Sequence, residues 1–364
     1  MDQVLRPTKP DVVVSESGRP TEFDVVEFAG PRRLRRSTRT VSPGAPTLSV
    51  EAVGVCGTDR QIFHGVLPVP EGTVLGHEVI GVIGHLPDPE VLVAEWQPES
   101  GDRVVLAPGV SCLRCRSCLR YGMYCERRRL YGLGTDGPGP HGGMSRTIEL
   151  FPGTRVFRVP DDLDIRRAIF IEPLACAVRA VATALPVTGA LIGRRVVVVG
   201  FGPMGLAVAT VARMHGAQVA ILDPDPTRCE FAATLGFTVV EPGSGADRAV
   251  DLAVECAGTP AAFDRAVGLV RPGGTVVEMG NFGDTGAGGV APSDICLRDL
   301  RVLGTSVTRD EDFFTAIDVA VRSPVDLAAA VNRIWSWDEL LRPDDLFDIQ
   351  KTAPAFKQMI VMEG

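Results

Sequence analysis

Arg195-Val-Val-Val-Val199, running directly into Gly200-Phe201-Gly202-Pro203-Met204-Gly205, decides the fold. Val196–Val199 is a continuous β-branched run, the pattern of a strand buried on both faces. The turn after it has the G-x-G-x-x-G spacing and opens a helix expected to reach about Met214, where Gly216 stops it. Val219–Leu222 reads as the next strand, with Asp223 at its end. In that context each glycine has a task. Gly200 permits the tight turn, Gly202 lets backbone amides approach a pyrophosphate, and Gly205 lets helix and strand pack closely. Pro203 and Met204 form the helix N-terminus, whose positive potential suits phosphates. Asp223 is placed to accept hydrogen bonds from ribose hydroxyls, and its charge favours NAD over NADP. Arg228 is either a contact for the adenine or phosphate edge or a solvated helix residue.

Working outward, the same rhythm continues. Val239–Val240, Leu252–Glu255, Gly274–Met279 and Val302–Gly304 read as strands, and helical stretches separate most of them. Alternating strand and helix implies a parallel, doubly wound sheet. The stretch 171–187 has Ala, Leu and Val at helical spacing and leads into this region. Upstream, the pattern differs. Phe23–Glu27, Leu48–Gly54, Val74–Gly84, Arg103–Ala107 and Thr147–Leu150 are short β segments broken by Gly and Pro, which predicts mostly antiparallel β structure. Residues 171–305 are therefore assigned to the nucleotide-binding domain. Residues 1–170 and 306–364 are assigned to a second domain to which the chain returns, with 1–22 as an N-terminal extension.

The 364 residues are too many for one ordinary core, which agrees with two domains. A net charge of −8 argues against nucleic acid as a partner. Arg127-Arg128-Arg129 and the run Arg32-Arg33 with Arg35-Arg36 read as solvated loop charge. Lysine occurs only at Lys9, Lys351 and Lys357, which points to a GC-rich genome and little else. Residues 1–22 lack an apolar signal core, and no apolar run approaches the roughly 20 residues that span a bilayer. A cytoplasmic protein without a membrane partner is expected.

Without a signal segment, clustered cysteines point to metal rather than disulfides. Cys112, Cys115, Cys118 and Cys125 fall within fourteen residues, on a loop of about 108–130. Four thiolates can surround one tetrahedral Zn²⁺ and leave no open position, the mark of a structural site. Cys176, Cys229, Cys256 and Cys296 lie in apolar stretches and are expected to be small buried hydrophobes. A second, scattered set comprises Cys56-Gly57-Thr58-Asp59, Gly76-His77-Glu78 and Glu172-Pro173. One Cys, one His and carboxylates form a mixed ligand set, of the kind that keeps a position for water or substrate. Taken singly, Cys56 and His77 would read as ordinary buried residues.

These motifs, in this order, resemble the zinc-dependent medium-chain dehydrogenases. The likeness runs from about residue 23 to 305 and is nearest the sorbitol, threonine and glucose dehydrogenase branch. Cys56-Gly-Thr-Asp-Arg60 and Leu75-Gly-His-Glu78 look like the sugar dehydrogenases. The resemblance implies a GroES-like catalytic domain, a Rossmann domain and a cleft between them. It implies two zinc ions per chain. Cys56 and His77 would hold the catalytic one, with Glu78 and Glu172 as ligands or as partners of its water. The four-cysteine loop would hold the structural one. A homodimer or homotetramer is implied as well, with sheet edges pairing around residues 275–305.

Two departures stand out. Six residues separate Cys118 from Cys125, where the family usually has seven. Gln61 stands where many relatives carry a relay histidine, which leaves the Thr58 hydroxyl to pass a proton, with His64 nearby in sequence.

The expected reaction is interconversion of a secondary alcohol and a ketone, with zinc as Lewis acid and hydride passing to the nicotinamide. A polyol, sugar or (amino)cyclitol is the expected substrate. A small amino or simple secondary alcohol is the alternative within the class. A non-catalytic nucleotide-binding scaffold or sensor is the alternative outside it.

Overall fold

The structure is a computed structural model that describes residues 21–121, 124–134, 141–240, 248–280, 286–341, 346–347 and 356–362. Residues 1–20 of the expected extension and part of the 275–305 segment lie outside the described residues. So do Lys9 and Lys351. The described residues fall into two compact units, one within 1–172 and 327–364, the other within 173–326.

The second unit is built on Arg195–Val199. Its Val196, Val197 and Val198 are at most 2% exposed, as expected for a strand covered on both faces. Six parallel strands lie in the spatial order Thr238–Val239, Gln218–Leu222, Arg195–Val199, Val250–Glu255, Val270–Glu278, Arg301–Gly304. The order reverses between Arg195–Val199 and Val250–Glu255, which pair Val199 with Glu255. In a doubly wound sheet, ligands bind at the carboxyl ends of the two strands flanking that reversal. Helices Pro203–Met214, Pro226–Thr234, Pro260–Leu269 and Pro292–Leu297 each begin on a proline, whose missing N–H costs nothing in a first turn. The boundary expected after residue 305 falls instead after Asp326. Helix Asp310–Arg322 stays with this unit because it packs on Pro203–Met214, and Arg179 faces Asp312 at 3.9 Å.

The first unit is mostly antiparallel β. Its main sheet runs Val331–Ser336, Lys357–Val361, Thr47–Val55, Glu78–Ile83, Arg103–Leu106, Thr154–Arg158, Leu92–Val93, with Thr147–Glu149 also on Thr47–Val55. Every residue of Thr47–Val55 is buried, so this strand is the axis of the core formed with Val79, Leu106, Trp335 and Ile360. The returning segment supplies Lys357–Val361, antiparallel to Thr47–Val55 with Gln358 opposite Val55.

Three expectations are corrected here. Arg35 and Arg36 are not loop residues. They lie on strand Leu34–Val41, which pairs with Thr21–Phe28, and face Glu27 and Asp24. Carboxylates on the neighbouring strand turn a charge run into an edge strand. The four apolar-stretch cysteines are not uniformly buried: Cys296 is exposed, and the others are intermediate. Finally, Ile165–Thr188 is long and apolar enough to cross a bilayer, yet 72% of its most apolar window is buried within the protein, as in a core helix.

Candidate active site and metal centres

Cys56 is the N-cap of helix Gly57–Phe63, at the end of Thr47–Val55. Asp59, fully buried, reaches back to accept the Cys56 N–H at 2.9 Å and the Gly76 N–H at 3.2 Å. One carboxylate therefore ties together the two segments that carry Cys56 and His77. The motif Cys56-Gly57-Thr58-Asp59 by itself gives Asp59 no role. Its signal is the capping position three residues after Cys56. Burial raises the Asp59 pKa, against the opposing pull of His77 and the two amides.

His77 and Glu78 are buried at the start of Glu78–Ile83. Cys56, His77 and Glu78 each present a donor atom within 4.8 Å of the others. Donors on one tetrahedral zinc lie roughly 3.5 Å apart, so a small contraction suffices. Burial alone would keep His77 neutral. The facing Cys56, Asp59 and Glu172 outweigh it and raise the His77 pKa well above its usual value, so the spot favours positive charge. His77 Nδ1 is buried without a hydrogen-bond partner, 3.8 Å from Asp59 Oδ1. Metal-bound histidines direct their second nitrogen to such a carboxylate. The donor types and the orphaned nitrogen both fit zinc.

Thr58 is buried, and its Oγ1 lies 3.7 Å from Cys56 Sγ. Gln61 Oε1, on the same helix, and Nδ1 of its C-cap His64 are buried without hydrogen-bond partners. Glu172 is buried in the first turn of Ile171–Thr188, outside the tightest donor group but close enough to act on His77. The second oxygen of the motif's carboxylate, Glu78 Oε2, meets the ammonium of Lys357. Nothing in the local sequence signals that pairing.

On the cysteine loop, all four sulfurs of Cys112, Cys115, Cys118 and Cys125 lie within 4.8 Å of one another. Backbone amides point at them: Cys112 N–H to Cys125 Sγ at 3.3 Å, Cys118 N–H to Cys115 Sγ at 3.4 Å, and Arg127 N–H to Cys125 Sγ at 3.4 Å. The Cys118 amide brings the Cys115 pKa down to about 6. The six-residue gap does not prevent the four from converging, and within it Tyr124 has φ +60°.

In the nucleotide unit, Gly200 has φ +92°, and a Cβ on it would lie 2.8 Å from the Ala257 nitrogen. Gly202 caps Pro203–Met214, with nothing nearer to an added Cβ than Arg228 Nη1 at 4.0 Å. A Cβ on Gly205 would collide with the Gly200 carbonyl. Asp223 is buried and accepts the Phe201 N–H at 2.6 Å and the Asp225 N–H at 2.9 Å, so it anchors the glycine turn. Arg228 faces Asp223 at 3.6 Å and Asp225 at 3.8 Å, with its side chain 36% exposed.

Residues 42–161 match the model of the alcohol dehydrogenase GroES-like domain, and residues 203–322 that of the zinc-binding dehydrogenases. The chain is 34% identical over 311 residues to a protein of Mycobacterium tuberculosis named probable alcohol dehydrogenase, covering 78% of this chain and 82% of that one. It is 31% identical over 284 residues to L-galactonate-5-dehydrogenase of Escherichia coli, covering 73% and 77%. A zinc-binding dehydrogenase of Sinorhizobium meliloti, solved with NADP, superposes with a TM-score of 0.78 at 27% identity, over 94% of this chain and all of that one.

Proposed function

The chain belongs to the zinc-dependent medium-chain dehydrogenases, and on that premise we propose that it interconverts a secondary alcohol of a polyol, sugar or cyclitol with the ketone, using a nicotinamide dinucleotide. The observation that carries this reading is the meeting of Cys56, His77 and Glu78 within 4.8 Å, in surroundings that favour positive charge. The named relative that acts on L-galactonate supports a polyhydroxylated substrate.

Cys56 and His77 would hold the catalytic zinc, with Glu78 and Glu172 as the available carboxylates. Bound there, zinc supplies a Lewis acid that lowers the pKa of an alcohol hydroxyl. Asp59 fixes the Cys56 and Gly76 backbones, and its carboxylate faces His77 Nδ1. Thr58 Oγ1 is the hydroxyl placed to take the substrate proton, 3.7 Å from the thiol. NADH formation across polyols, aldoses and cyclitols tests the assignment. No oxidation of any secondary alcohol by zinc-replete protein would sink it.

The second zinc would sit on Cys112, Cys115, Cys118 and Cys125, giving two per chain. Cys115→Ser is expected to remove one zinc per chain and lower Tm by about 5–10 °C, on the scale of losing a loop cross-link. Metal analysis and calorimetry read both, and an unchanged zinc content would refute the site.

NAD is the proposed cofactor, because the Asp223 carboxylate would oppose a 2′-phosphate. Arg228 beside it and the NADP-bound relative are the observations favouring NADP. Wild-type kcat/KM is expected to favour NAD. Asp223→Ser should shift the NAD:NADP ratio toward NADP by roughly tenfold or more, since a like-charge contact is worth several kcal/mol. Equal use of both cofactors by the wild type would overturn the preference.

A homodimer or homotetramer is proposed as well. Among the described residues, edge strand Arg301–Gly304 pairs on one side only, and Leu297 beside it is 83% exposed.

A further inference from the structure

Lys357 is the one lysine among the described residues, and its side chain is 0% exposed. It lies on the returning strand Lys357–Val361, which pairs Met359 with Gly54. On the other side of Gly54, strand Glu78–Ile83 pairs Glu78 with the same residue. The ammonium reaches over Gly54 to the Glu78 carboxylate, with the Phe170 ring 5.9 Å away. A Cβ on Gly54 would collide with Glu78 Oε2 and lie 3.0 Å from Lys357 Nζ. The sheet thus leaves out one side chain at the point where this pair crosses it.

A buried ion pair adds little stability by itself, because desolvation of both charges offsets their attraction. What distinguishes this pair is its anion. Glu78 also belongs to the donor group with Cys56 and His77. Cys56, His77, Glu78 and Glu172 together would complete a four-coordinate zinc and leave no place for an alcohol.

We propose that Lys357 is a positioning residue of the metal centre: its ammonium competes with the metal for Glu78 and so keeps one coordination position free for the substrate oxygen. This rests on the zinc reading above. Among the described residues Lys357 is the cation paired with Glu78; without it, the carboxylate turns to the metal and closes the site. With the ammonium, the carboxylate stays within reach of the metal but is held by a second cation.

The test uses full-length protein loaded with Co²⁺, with the spectrum of Cys56→Ser subtracted to remove the cysteine-loop contribution. Lys357→Met should retain metal at Cys56 and His77, shift the Co²⁺ visible bands and lose about 10- to 100-fold in kcat. Lys357→Arg should keep the wild-type bands. Glu78→Gln combined with Lys357→Met removes both charges, and it should regain about tenfold over Lys357→Met alone. A Lys357→Met spectrum identical to wild type overturns the proposal, as does a double variant no more active than the single. Should Lys357→Met fail to fold, the double variant decides: wild-type bands support the role, and shifted bands refute it. A wild-type chain that takes no metal at Cys56 and His77 overturns the zinc reading, and this proposal with it.

Discussion

Cys56→Ser is expected to lower kcat/KM by about a thousandfold while the protein still folds and binds NADH. The size follows from the several kcal/mol that a Lewis acid contributes, at 1.36 kcal/mol per tenfold. The fold should survive because what Cys56 gives the structure is its backbone. Its N–H donates to Asp59, and that bond does not depend on sulfur. Serine is itself a good N-cap, so helix Gly57–Phe63 keeps its start. Zinc content should fall by one per chain, and NADH fluorescence titration should give an unchanged Kd. Full activity in this variant would remove Cys56 from the catalytic set. A matching loss of NADH affinity would mean that the substitution had disturbed more than the metal.

Gly205→Ala and Gly202→Ala should differ in kind. At Gly205 the added methyl meets the Gly200 carbonyl, a backbone group that cannot step aside, and it meets Val198 at 3.4 Å. Overpacking of this sort costs about 1–3 kcal/mol. The variant should therefore lose thermal stability and weaken cofactor binding together, because the displaced residue is the first glycine of the turn. At Gly202 the methyl has space in the free protein. Its cost appears only when a pyrophosphate approaches the turn, so Tm should hold while cofactor Kd rises about tenfold or more. Calorimetry and titration on the two variants separate these outcomes. A Gly202→Ala protein that binds cofactor like the wild type would place the phosphates elsewhere.

The parts legible in the sequence were those written in short local patterns. The Val196–Val199 run and the glycine turn fixed the parallel sheet, because burial on both faces and a tight crossover each restrict a few adjacent residues. The cysteine loop was legible for the same reason. What stayed hidden depends on partners far along the chain. Leu34–Val41 looked like loop charge because the carboxylates that pair its arginines stand on another strand. Lys357 looked like a compositional remnant, and its partner Glu78 is 279 residues away. The boundary at Asp326 escaped for a related reason: helix Asp310–Arg322 belongs to the nucleotide unit through packing that no spacing rule records.

The returning strand Lys357–Val361 also sets an order of events during synthesis. The nucleotide unit is one uninterrupted stretch, 173–326, and holds all six of its strands before the ribosome reaches the last segment. The catalytic unit cannot close its sheet beside Thr47–Val55 until Lys357–Val361 has emerged. Domains fold as units during translation. The first 172 residues must therefore wait, with one edge of Thr47–Val55 uncovered, while the later-made unit folds ahead of them. The buried ammonium is delivered after Cys56, His77, Glu78 and Glu172, so the free coordination position proposed for the metal centre would arise later than the ligands themselves.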